Sequence, residues 1–270
     1  MSRKILYNGE LVNEGSSWTG YVVIDGNTIE KVGKGAPTVE LLAGCDERID
    51  VDGAWIFPGV IDDQVHFRDP GLTHKADIET ESAAAVAGGV TSFMDMPNTQ
   101  PPTTTIDALQ AKWQRASEVS LANYGFFIGA TNDNLNTLLS IDYTFTPGVK
   151  LFLGASTGNM LVNDKNTLKG IFSEVPALIA IHSEDEMLIR RNRDFYVSKF
   201  GEDLPIQYHQ LIRSTEVCYK STARAVEMAH KYNTRLHVLH LSTARELELF
   251  GNEPLNEKLS LIHISEPTRL

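Results

Sequence analysis

Little in this sequence points toward secretion, a membrane or nucleic acid. Only two cysteines, Cys45 and Cys218, stand among 270 residues. They lie far apart and form no metal-type pair, so a disulfide framework is excluded and a reduced, cytoplasmic protein is expected. No window approaches the roughly 20 apolar residues that a bilayer span needs. The start, MSRKILYNGELVNEG, carries no apolar core of the secretory-signal type. Basic blocks are missing as well. With 24 Lys and Arg against 35 Asp and Glu, the net charge is −11, and neither nucleic acid nor an anionic membrane is an expected partner. The Gly-rich phosphate fingerprints of open doubly wound sheets are also absent.

What is present is enough apolar material for a sizeable core. The chain is 42% hydrophobic, with three Trp and eleven Phe. Residues 3–53 read as short strands with turn signals at Asn8-Gly9, Asp25-Gly26 and Asp52-Gly53. A small β-rich module over 1–54 is expected. From Trp55 the rhythm changes to strand, helix, strand. WIFPGVIDDQVHF precedes a helical KADIETESAAAVAGG, TSFMDMP precedes TTIDALQAKWQRASEV, and ANYGFFIGAT precedes NLNTLLSI. GVKLFLGAS, ALIAIHSED and RLHVLHLS continue the pattern, with a long helical region from about Glu186 to Tyr232 broken near Leu204-Pro205. Alternating β and α units imply a parallel sheet.

Of six such strands, four carry polar groups at or near their C-terminal ends: Gln64, His66 and Arg68 on one, then Asn98, His182 and His240. Active sites of (β/α)8 barrels are built at that rim from several strands. The expected fold is therefore α/β, a TIM-type barrel over 55–258 beside the N-terminal β module. A full barrel has eight strands and ~250 residues, so about six of eight are expected here. Leu259 to Arg269, LSLIHISEPTR, is similar to the translation of a transposase-type sequencing adapter. Residues 259–270 are accordingly expected to be a non-native tail, and His263 is excluded from the site.

Strand alternation puts Asp62, Gln64, His66 and Arg68 on one face and turns Asp63 away from it. Lys150 sits in the otherwise apolar VKLFL. Lysine is almost never fully buried unpaired. It is expected either to pair with a carboxylate or to take up CO2 as a carbamate, and the chemistry alone leaves both open. His182 ends one strand and is followed by Ser-Glu-Asp; His240 ends another. His237, three residues earlier, is expected to face away and to serve packing. Imidazoles and oxygen anions together form the ligand set of catalytic zinc.

Four stretches, FPGVIDDQVHFRDPGLTHK, AAVAGGVTSFMDMPNTQPP, GVKLFLGASTGNML and TRLHVLHLSTARE, resemble in order the dihydroorotases of the amidohydrolase superfamily. The resemblance covers about residues 1–258. It implies a small sandwich, half of it N-terminal, beside a metal-bearing barrel. It also implies a site with one or two zinc ions. His66 would ligate the first, Lys150 as a CO2-derived carbamate would bridge, and His182 and His240 would hold the second. Arg68 and Asn98 would grip a substrate carboxylate, which suits an Arg fork backed by an amide. The implied reaction is reversible hydrolysis of dihydroorotate to N-carbamoyl-aspartate, a step of pyrimidine synthesis. Allantoinase or hydantoinase chemistry is the alternative within the class.

Two departures stand out. The family pattern His-x-His reads Gln-x-His here, so Gln64 offers a neutral amide oxygen where an imidazole is usual. A site biased toward one tightly held metal is expected. The proton-carrying Asp that the resemblance places on the last barrel strand has no counterpart in residues 1–258. No catalytic residue is therefore assigned within the chain, and the chain as written is expected to be inactive. The different-class alternative is a noncatalytic scaffold, for instance for aspartate transcarbamoylase, with Gln64 as its support. Lys150, His182, His240 and Arg68 speak against it, because a scaffold has no use for them. A homodimer is a further implication of the resemblance.

Overall fold

The structure is a computed structural model that describes residues 2–154 and 158–251 with their side chains, and the backbone of Leu259–Leu261. It divides into two compact units, Met1–Val60 and Ile61–Leu270. The first unit holds β1 (Arg3–Asn13), β2 (Ser16–Asp25), β3 (Thr28–Lys34), a short α1 (Val39–Ala43), β4 (Glu47–Asp50) and β5 (Trp55–Ile56). They form one sheet in the order β3-β2-β1-β4, with β5 also on β1. Ile5, Tyr21, Val23 and Cys45 make its core.

The Asn8-Gly9 signal does not make a hairpin. Asn8 has φ 62° and the β1–β2 register shifts between Tyr7 and Gly9, so the pair is a bulge inside a long strand. An Asn tolerates the left-handed region at low cost, which serves a bulge as well as a turn. The β1–β2 turn lies at Glu14-Gly15, with φ 48° and 71°.

The second unit alternates as expected. In chain order it runs β6 (Val60–Val65), α2 (Ile78–Ala87), β7 (Val90–Asp95), α3 (Ile106–Val119), β8 (Asn123–Phe126), β9 (Ile128–Gly129), α4 (Leu135–Leu139), β10 (Gly148–Phe152) and α5 (Lys165–Glu174). β11 (Leu178–His182), α6 (Glu186–Phe200), α7 (His209–Ile212), α8 (Thr215–Tyr232) and β12 (Leu236–Val238) follow. Strand orders are β6-β7-β8 and, after the break at Phe127, β9-β10-β11-β12, with parallel pairs from β9 to β12. With β8 and β9 counted as one interrupted strand, six strands of a TIM-type barrel are present. The helices start on side-chain caps: Asp77 accepts from Thr80 N, Thr105 from Ala108 N, and Asp164 from Thr167 N. Gly201, φ 85°, and Pro205 break the long helical region where expected. The TARELELF segment forms a 3-10 helix over Ala244–Leu249.

Two apolar clusters hold the strands against the helices. Ile128, Val149, Leu151, Ile179, Ile181, Leu236 and Val238 pack on Leu168, Ile171, Phe172, Ala225 and Ala229. Phe67, Phe93 and Phe126 pack with Ile78 and Leu109. Residues 262–270 of the expected non-native tail lie outside the described residues. The backbone of β13 (Leu259–Leu261), at its start, pairs in parallel with β12. Strand pairing is a backbone interaction, and an open edge accepts any short extended apolar segment. No described helix is long and apolar enough to cross a membrane.

Candidate metal centre

The residues expected at the site sit where strands end. β6 ends at Val65, earlier than expected, and His66 and Arg68 follow it. Arg68 has φ 65° and His240 φ 35°. Non-glycine residues in this region are strained and gather at functional positions. Gly71, φ 82°, lets the Arg68 loop approach the loop after Asn98, because a Cβ there would lie 1.8 Å from the Gln100 carbonyl oxygen. Arg68 Nη1 lies 3.4 Å from the Asn98 carbonyl oxygen, so the two residues expected to bind a carboxylate meet.

Lys150 is 1% exposed at the middle of β10. Burial pulls its pKa down to about 7. No described carboxylate forms an ion pair with it; its Nζ lies 4.7 Å from the centre of the Phe152 ring. That ring is 5.8 Å from His182, and the His182 and His240 rings are 4.7 Å apart. Nδ1 of His182 meets Nε2 of His240 at 2.9 Å. Burial lowers the His182 pKa, against its hydrogen bond to Glu184, which raises it. His66 is driven to about 3 by burial and by the nearby positive charges of Arg68, Lys150, Lys112 and His182. It is neutral at physiological pH. Its Nδ1 and Gln64 Oε1 are buried without a hydrogen bond among the described residues.

Two expectations fail on register. Lys150, Ala180 and His237 are lateral partners across β10, β11 and β12, so His237 shares the face of Lys150 rather than turning away. Alternation from His240 misled because β12 stops at Val238 and the chain leaves strand geometry before His240. Asp63, also expected to face away, has Oδ2 3.3 Å from His237 Nε2.

Two arrangements were not foreseen. Glu184, 2% exposed, binds His182 Nε2 at 2.7 Å and receives Arg213 Nε at 2.7 Å, with Nη2 of Arg213 on its other oxygen. Burial would raise its pKa, but the hydrogen bonds from His182 and Arg213 outweigh that and hold it at about 2. The Ser-Glu-Asp run after His182 held the only signal, since Glu184 follows at the i+2 spacing. Second, Lys112 Nζ from α3 binds Asp95 Oδ2 at 2.6 Å and the Met96 carbonyl at 3.2 Å, while Asp95 Oδ1 accepts from Phe67 N at 3.0 Å. This wholly buried pair ties the tip of β6 to the tip of β7.

Among the described residues, no three His, Cys, Asp or Glu side chains converge as a metal cluster. Gln64 and Lys150 account for that: one is an amide, the other an amine until it reacts with CO2. The donor chemistry nonetheless fits a divalent cation at the His182–His240 end. Two imidazole nitrogens meet there, and a carboxylate orients one of them.

The chain matches the Dihydro-orotase-like family model over residues 53–245. It is 31% identical over 237 residues to a dihydroorotase of Methanosarcina acetivorans, covering 86% of this chain and 48% of that protein. It is 30% identical over 254 residues to an allantoinase of Solibacter usitatus, covering 91% and 53%. Among solved structures, L-hydantoinase from Arthrobacter aurescens superposes with a TM-score of 0.83 at 25% identity, covering 92% of this chain and 55% of that one. The chain spans about half the length of the curated relatives it matches.

Proposed function

The chain belongs to the dihydro-orotase-like family, and we propose that the whole protein is a metal-dependent cyclic amide hydrolase that opens dihydroorotate to N-carbamoyl-aspartate. The observation that carries this reading is the meeting of His182 and His240, from strand ends 58 residues apart, at 2.9 Å near the buried Lys150. In this reading His182 and His240 would hold a zinc ion, with Lys150, as its carbamate, and His66 as further candidate ligands. Bound there, the metal supplies Lewis acidity and lowers the pKa of a water to ~7. A buried Lys150 whose pKa is about 7 is about half free amine near neutral pH, the form that reacts with CO2. His66 remains a neutral donor. Arg68 and Asn98 orient the substrate through its carboxylate, a charge that allantoin and hydantoin lack. Gln64, a poorer donor than imidazole, biases the protein toward one tight zinc per subunit. The buried thiols of Cys45 and Cys218, neither of them in a disulfide, accord with a cytoplasmic protein.

The similarity to an allantoinase and to an L-hydantoinase favours a second reading, hydrolysis of an uncharged cyclic ureide. A panel of dihydroorotate, allantoin and hydantoin on the full-length protein decides between them. Turnover of dihydroorotate alone is the expected result; preference for allantoin or hydantoin overturns the carboxylate assignment. Zinc binding with no turnover of any of them would favour the scaffold.

A further inference from the structure

The proton order around His182 is fixed by groups the proposed metal chemistry does not use. Glu184 is an acceptor only, and Arg213 occupies both of its oxygens. His182 Nε2, 2.7 Å from Glu184 Oε2, must therefore carry the hydrogen. Neutral imidazole bears one N–H, so Nδ1 of His182 keeps its lone pair, and that atom faces His240. The pair is itself anchored. Arg213 follows α7, and the adjoining Ile212 carbonyl accepts from Asn192 of α6 at 3.0 Å. On the other side the segment after β10 presses on Glu184: a Cβ on Gly154 would lie 2.4 Å from the Glu184 carbonyl oxygen.

We propose that Glu184 and Arg213 are a positioning pair that locks His182 in its Nε2–H tautomer, presents the Nδ1 lone pair beside His240, and thereby sets the affinity of that position for a divalent cation. The proposal rests on the reading that His182 and His240 hold a metal. A carboxylate behind a ligating histidine fixes ring and tautomer, and its loss costs on the order of 10- to 100-fold in metal affinity.

The test uses the full-length protein, with Zn2+ as the probe and two readouts. Zinc affinity is measured by competition with a chromophoric chelator. The His182 tautomer is read from imidazole nitrogen shifts in metal-free protein. Glu184→Ala should weaken zinc binding on the order of 10- to 100-fold and remove the Nε2–H preference. Glu184→Gln, whose amide oxygen still accepts from Nε2, should keep the tautomer and lose less affinity. Arg213→Met should weaken binding, and Arg213→Lys should restore part of the loss. Unchanged zinc affinity and tautomer in folded Glu184→Ala, or in folded Arg213→Met should Glu184→Ala not fold, would overturn the positioning role while leaving the metal assignment standing. Failure of the unsubstituted full-length protein to bind zinc at all would overturn the metal reading and the proposal with it.

Discussion

Lys150→Met should make the metal-free protein more stable while removing the group that the proposed chemistry needs. Lys150 is 1% exposed in a strand whose neighbours are all buried, and its pKa falls from 10.5 to about 7. The unfolded chain therefore keeps a proton that the folded chain gives up between about pH 7 and 10.5. Stability rises with pH across that window, and below it the burial penalty is constant and largest. A shift of about 3.5 units at ~1.36 kcal/mol each makes the penalty about 5 kcal/mol at pH 5. At pH 9 only ~1.5 units remain, about 2 kcal/mol. Methionine fills similar space and carries no proton. Urea unfolding of both proteins, in CO2-free buffer with chelator, should show the advantage of Lys150→Met shrinking by about 3 kcal/mol from pH 5 to pH 9. The other titrating groups are common to both proteins; His66 and His182, which feel the Lys150 charge, are neutral above pH 7, so the fall between pH 7 and pH 9 belongs to residue 150. Bicarbonate with zinc should reverse the order by stabilising only the lysine form. A pH-independent difference would refute the reasoning, since it would mean that Lys150 does not change charge on folding.

Three further outcomes follow from the geometry. Lys112→Met leaves the Asp95 carboxylate buried with only the backbone N–H groups of Phe67 and Met96 and should cost about 3–5 kcal/mol in urea unfolding; adding Asp95→Asn should recover much of it, and additive losses would refute the coupling. Gln64→His in the full-length protein should raise tightly bound zinc from one to two per subunit by metal analysis, and an unchanged count would remove Gln64 as the cause of asymmetry. Arg68→Met should raise KM for dihydroorotate about 10- to 100-fold, the worth of a charge-assisted contact, and an unaltered KM would reassign the carboxylate to another residue.

Legibility in the sequence followed the physics of each element. Strands and helices of the second unit could be read because apolar periodicity and caps such as Asp77 and Thr105 are local properties. Lys150 stood out because an ammonium in VKLFL violates the burial rule for its type. Alternation failed where strands end: it placed Asp63 and His237 away from the site, yet His237 lies in the row of Lys150 and Asp63 lies 3.3 Å from it. Period two is a property of strand geometry, and His240, at φ 35°, has already left it. The Asn8 bulge shows the same weakness, since one left-handed residue serves a turn or a bulge equally well.

What the sequence hid most completely was support for the site, and the reason is positional. His66, Asn98, His182 and His240 all sit at or just past strand ends, where a register argument reaches them. Arg213 sits 29 residues from its partner Glu184, beyond a helix and a turn, and Lys112 reaches Asp95 from a helix 17 residues on. Neither spacing has a period. Both pairs nevertheless answer a question that the sequence does raise: how a rim of polar groups stays ordered on a parallel sheet. Each candidate ligand or loop needs a buried counter-charge to fix its direction, and a helix packed on the barrel is the nearest rigid element able to deliver one. Searching the outer helices and the turns between them for a cation directed at each carboxylate at or just past a strand end would have found Lys112 and Arg213 together.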